Sequence, residues 1–112
     1  MNVLIHGVHF SLSDNTKAYV NEHLVAPLEH ILRDSAGEIE VHLVDTNGPK
    51  GGEDKECRVT VRLPGLPSVH VEEASASIFQ SIDACRDRLE TAVKRSRERR
   101  RDLHHAGVDR HG

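Results

Sequence analysis

The sequence predicts an α+β domain of order β-α-β-β-β-α, in which a four-stranded mixed sheet carries two helices on one face. Three observations predict it. Apolar residues recur every three or four positions in two long stretches, they alternate strictly in four short ones, and Gly- and Pro-rich segments punctuate the boundaries. At 112 residues the chain has room for one such domain. Residues 1–101 are expected to form it and residues 102–112 to be a disordered tail.

The first strand is Val3 and Ile5 alternating with Leu4 and His6, closed by Gly7. Ser13 then offers an N-cap to a helix over about 14–33, on which Val20, Leu24, Leu28, Ile31 and Leu32 keep helical spacing. Pro27 removes a hydrogen bond and crowds the carbonyl four residues earlier, so a kink or break is expected there. Residues 34–37 end the helix.

Period two follows. Ile39, Val41 and Leu43 alternate with Glu38, Glu40 and His42, and Cys57, Val59, Val61 and Leu63 alternate with Glu56, Arg58, Thr60 and Arg62. The glycine-rich stretch 47–54 makes these two strands a hairpin with a long tip. After the turn Pro64-Gly65-Leu66-Pro67, Val69 and Val71 alternate with His70 and Glu72 as the fourth strand. From Ser75 the stripe Ile78, Ile82, Cys85, Leu89, Val93 predicts a second helix to around Arg101. Its second half is almost all charge, so its last turns must project beyond the sheet. Pairing the first two strands in parallel across the intervening helix buries every apolar stripe and leaves the other sheet face polar.

With 37% apolar residues and only three aromatics, Phe10, Tyr19 and Phe79, the core must be mainly Val, Leu, Ile and Ala. Cys57 and Cys85 belong to no ligand motif and read as small buried hydrophobes, without a disulfide. No window approaches a membrane span, and the N-terminus lacks the basic and apolar regions of an export signal, so a cytoplasmic protein is expected.

The net charge of −3 is unevenly spread. Residues 1–85 hold six Lys/Arg against thirteen Asp/Glu, a net −7, and residues 86–101 hold eight against three, a net +5, while the last eleven residues add −1. Local potential steers a phosphate backbone, so this basic end is compatible with nucleic-acid binding. Plotted on a helical wheel, Arg86, Lys94, Arg97 and Arg101 share a flank with Asp83, Asp87 and Glu90, where Glu90 can pair with Lys94. Arg88, Arg95 and Arg99, preceded by Ser77 and Ser81, form a second flank without an acidic residue. That flank is expected to be free to meet phosphates, which the guanidinium fork suits.

The order of elements, together with His9-Phe10-x-Leu12-Ser13-Asp14, the turn Leu63-Pro64-Gly65, and Ile78-Phe79-x-Ser81-Ile82-Asp83 leading to Asp87-Arg88-Leu89, resembles the ribosome hibernation-promoting factor and ribosome-associated inhibitor family, the sigma-54 modulation proteins. The likeness covers about residues 1–101. It implies a double-stranded-RNA-binding-domain-like fold lodged on the small ribosomal subunit, occupying the mRNA and tRNA channel and holding idle ribosomes inactive under stress. Carried over by position, the resemblance assigns rRNA contacts to Arg86, Arg88, Lys94, Arg95, Arg97, Arg99 and Arg101 on the second helix. On the first helix it assigns Lys17, His23, His30 and Arg33. The first helix also carries Glu22, Glu29 and a proline where family members are richer in Lys and Arg, and the tip at 47–54 is longer than in short members. The eleven residues after Arg101 are too few for the dimerisation domain of long members, so a monomer is expected.

Two other classes compete. A generic double-stranded-RNA binder shares the basic helix. A metal protein is suggested by nine histidines, either through His104, His105 and His111 or through His6, His42 and His70 on the sheet. Neither group has the ligand spacing of a zinc site, so solvated histidines are the expectation, with no metal and no cofactor. Catalysis and a small-molecule substrate are not expected, since the chain has no nucleophile elbow, HExxH or Walker loop. Gly48-Pro49-Lys50-Gly51-Gly52 lacks the GK[ST] end of a phosphate cradle.

Overall fold

The computed structural model describes residues 2–32, 36–46 and 54–111, with side chains as far as Arg95 and at Glu98. Arg33, most of the hairpin tip (47–53) and the side chains of Arg97, Arg99 and Arg101 lie outside the described residues. The elements run β1 Asn2–Val8, helix α1 over 14–32, β2 Glu38–Asp45, β3 Lys55–Arg62, β4 Val69–Ser75 and helix α2 Ile78–His111. One sheet of order β1-β2-β3-β4 pairs β1 with β2 in parallel and the remaining neighbours antiparallel. This is the α+β fold the alternation and helical stripes predict.

Ser13 caps α1, its Oγ accepting from the Thr16 N–H at 3.1 Å and lying 2.9 Å from Thr16 Oγ1. Pro27 neither kinks nor breaks this helix in the expected way. Between the α-helical segments Asp14–Val20 and Ala26–Leu32, the chain widens into a π-helical turn, Asn21–Val25, with the Ala26 N–H bonded to the Asn21 carbonyl. A widened turn accommodates the proline because the ring needs no N–H partner and has more room past the carbonyl four residues back. The extra residue also turns Val25 inward, so that Val20, Leu24, Val25, Leu28 and Leu32 are all buried.

Register places the core-facing side chains of the sheet in rows. Ile5, Val41, Val59 and Val71 form one such row across all four strands, and Val3, Ile39, Val61 and Val69 another. These rows share one core with the α1 residues and with Ile78, Ile82, Cys85, Leu89 and Val93 of α2, so both helices cover the same face. The cysteines are buried and free, and the Cys85 thiol donates to the Cys57 carbonyl at 3.2 Å. The opposite face carries Glu38, Glu40, His42, Arg58, Thr60, Arg62, His70 and Glu72, as alternation requires.

Two local conformations tie β1 to α1. His9 has φ 52°, a left-handed conformation that reverses the chain after Val8. The reversal brings the Phe10 carbonyl so close to Gly7 that a Cβ there would sit 2.3 Å from it. Gly65, with φ 75°, completes the turn after Pro64, closed by the Leu66 N–H on the Leu63 carbonyl at 3.2 Å.

α2 is 34 residues long and does not stop near Arg101; the 102–111 stretch, expected to be a disordered tail, continues the helix to His111. No proline interrupts it and Arg, Leu and Ala favour it, so the cost of Gly107, about 1 kcal/mol, does not end it. No helix among the described residues is long and apolar enough to cross a membrane.

Candidate nucleic-acid interface

α2 leaves the sheet beside β4, and that placement decides which of its cations are available. Ser81, on the flank read as open, is buried at 1% exposure and donates to the Lys55 carbonyl at 2.7 Å. It also lies 2.9 Å from Ser75 Oγ, which fastens the first turns of α2 to the ends of β3 and β4. Two turns further on, Arg88 Nη1 donates to Glu73 Oε2 at 2.5 Å and to the Glu72 carbonyl at 3.0 Å. The expectation that Arg88 is unopposed is therefore corrected: its counter-charge comes from β4, not from its own helix. No spacing rule within α2 could reveal that partner.

On the other flank Arg86 is neutralised, but through different pairs from the one the i,i+4 rule suggests. Arg86 lies 3.7 Å from Asp83 and 3.1 Å from Asp87. Burial works against its charge, but Asp87, Asp83 and Glu90 outweigh that and raise its pKa. Lys94 and Arg95 are exposed and form no ion pair among the described residues, so the Glu90–Lys94 bridge is not made. Arg95, Arg88, Asp87, Thr91, His70 and Val71 line a groove of about 510 Å³ between α2 and the β4 edge.

On α1, Lys17 and His30 are exposed. His23 is half-buried and engaged: its ring stacks on Tyr19 with centroids 3.9 Å apart and its Nδ1 lies 3.9 Å from Asp83. The Tyr19 hydroxyl donates to both Asp83 oxygens, at 3.0 and 2.9 Å, and Phe79 meets the Tyr19 ring edge-on at 4.6 Å. Burial, and then the Asp83 carboxylate, hold the Tyr19 pKa above its ordinary value. Sequence reading missed this junction because its members stand 64 positions apart.

The open sheet face has cations too, but they are occupied. Arg62 bonds Glu38 at 3.0 Å and Glu40 at 3.2 Å, and Arg58 pairs with Glu56 and lies 4.0 Å from Glu72. At the strand ends, on the helix-covered side, Lys55 is likewise paired, with Asp45 at 3.0 Å and Asp54 at 3.4 Å. Of the three sheet histidines, His6 and His42 do converge, their rings stacked at 4.8 Å and a Glu40 oxygen near the Nε2 of each. His70 does not join them; it is held by Thr60 at 2.7 Å and Glu72 at 2.9 Å.

These features define a small α+β domain in which, among the described residues, the unneutralised Lys and Arg side chains lie on helices, chiefly α2, and not on the sheet. The chain belongs to the Sigma 54 modulation protein / S30EA ribosomal protein family, whose model matches residues 3–101. Among solved structures it is similar to the N-terminal domain of Protein Y from Thermus thermophilus, with 31% identity over 85% of this chain and 98% of that one and a TM-score of 0.71. A ribosomal subunit interface protein from Coxiella burnetii shares the fold, with a TM-score of 0.72 at 15% identity, covering 88% of this chain and 99% of that one. A search of curated protein sequences finds no match. The family resemblance drawn from the sequence motifs is thereby shown.

Proposed function

We propose that this protein is a cytoplasmic hibernation factor that binds rRNA of the small ribosomal subunit in the mRNA and tRNA channel and keeps idle ribosomes inactive by occupancy. The observation that carries this reading is the family match over residues 3–101, almost the whole folded domain. Its relatives are named for a ribosomal protein and for a ribosomal subunit interface, and the chain's own electrostatics fit a phosphate-rich partner.

On this reading Lys94 and Arg95 are the first cations to meet rRNA, and Arg97, Arg99 and Arg101 continue the basic run along the same helix. Lys17 and His30 add to it from α1, and Arg33 follows them in the sequence. Arg86, Arg88 and His23 contribute less, because each would have to leave an intramolecular partner. Binding free energy comes from release of counterions and from arginine–phosphate hydrogen bonds, while specificity comes from the shape of the rRNA cleft. The action is occupancy by a monomer; it involves no chemical step, small-molecule substrate or cofactor.

Co-sedimentation with purified small subunits tests this, with a plain RNA duplex as competitor. We expect the protein to travel with the subunit, to be displaced by added salt, and to be indifferent to the duplex. Displacement by the duplex at equal phosphate concentration would make it a generic double-stranded-RNA binder instead, and failure to sediment would overturn the reading.

A further inference from the structure

We propose that His6, Glu40 and His42 form a binding site for a zinc-class divalent transition-metal ion on the open face of the sheet. The three residues come together through register. In the parallel β1–β2 pair His6 stands opposite His42, and Glu40 precedes His42 by two positions on the same face. The donor atoms lie within 4.8 Å of one another, with Glu40 Oε2 3.2 Å from His42 Nε2 and 3.6 Å from His6 Nε2. Ligands bound tetrahedrally at zinc distances of 2.0–2.1 Å stand about 3.3 Å apart. Two of the three spacings are thus already close to those of a bound state.

The surroundings prepare the carboxylate. Arg62 Nη2 holds Glu40 Oε1 at 3.2 Å, which leaves Oε2 facing the imidazoles. Two imidazole nitrogens and one carboxylate oxygen suit zinc, nickel or copper and disfavour magnesium and calcium, which require an oxygen shell. Exposure of His6 and His42 at 47% and 37% leaves the fourth position to water. A bound ion would clip the edge strand β1 to β2 on the face away from both helices, so metal and rRNA could be held together. The site does not depend on the ribosome reading.

Untagged full-length protein, stripped with a chelator, is titrated with zinc chloride by calorimetry and by histidine ring-nitrogen NMR. We expect one ion per chain on the sheet, shifts in the His6 and His42 rings, and at least about tenfold weaker binding in His6→Ala, His42→Ala and Glu40→Gln. His70→Ala, and a triple replacement of His104, His105 and His111 by Ala, leave this binding unchanged. Absence of zinc uptake would overturn the site. So would uptake that disappears with the three later histidines while the His6 and His42 rings stay unshifted; the NMR readout on the unaltered chain stands whether or not a variant folds.

Discussion

Arg88 on α2 is bridged to Glu73 on β4 at 2.5 Å, fifteen positions back in the sequence, and the same nitrogen caps the Glu72 carbonyl at 3.0 Å. The contact fastens the helix to the sheet's last strand and withdraws one guanidinium from the basic flank. Both partners are partly solvent-exposed, so Arg88→Ala is expected to cost about 0.2–1 kcal/mol, with non-additivity to Glu73→Ala in a double-mutant cycle. Arg95→Ala should change stability by no more than about 0.5 kcal/mol, yet lower ribosome affinity more than Arg88→Ala does. Urea denaturation and sedimentation read the two effects separately.

Lys94 and Arg95 together should account for part of the salt dependence of binding. Replacing both by Ala is expected to reduce the slope of log affinity against log salt by about 1.4–1.8, the value for two lost phosphate contacts. An unchanged slope in co-sedimentation across a salt series would remove these side chains from the interface.

Gly7 has no room for a methyl group, because the obstructing atom is the backbone carbonyl of Phe10. Gly7→Ala should destabilise the fold by about 1–3 kcal/mol, the usual cost of overpacking. His9→Gly, which relieves a left-handed φ of 52°, should be tolerated. Thermal melts of the two variants test the opposite outcomes.

Glu40 and Glu72 should limit stability in acid. A hydrogen bond from His42 and then one from Arg62 lower the pKa of Glu40; one from His70, and the nearby Arg58 charge, lower that of Glu72 against the opposing effect of burial. Each folded carboxylate releases its proton more readily than the unfolded one, so the unfolded chain binds more protons. The stabilisation is complete above the ordinary glutamate value, near pH 4.5, and is lost as pH falls through the lower folded value. Urea midpoints between pH 7 and 2 should therefore fall less steeply for Glu40→Gln/Glu72→Gln than for the unaltered chain.

Cys57 and Cys85 should be inert in the folded protein. Contact with the Cys85 thiol, and then burial, push the Cys57 thiol far above its usual range, and both side chains are fully covered. A thiol reagent at pH 8 is expected to label neither until urea unfolds the chain, and rapid native labelling would contradict the packing.

The sequence by itself determined the order of elements and the buried face of each, because period two and helical spacing are local and dictate which side chains can share a core. It placed Val41, Val59 and Val71 on one side and Glu40, Arg58 and Glu72 on the other without any knowledge of which strands pair. It also gathered the basic residues onto one helix. It could not show that Pro27 would be absorbed in a π-turn, because that depends on how Leu24 and Val25 both find the core. Only the tertiary structure decided which charges remain free. Ion pairing depends on distance through space: β4 supplies Glu73 to Arg88 across a separation that no pattern along the chain encodes.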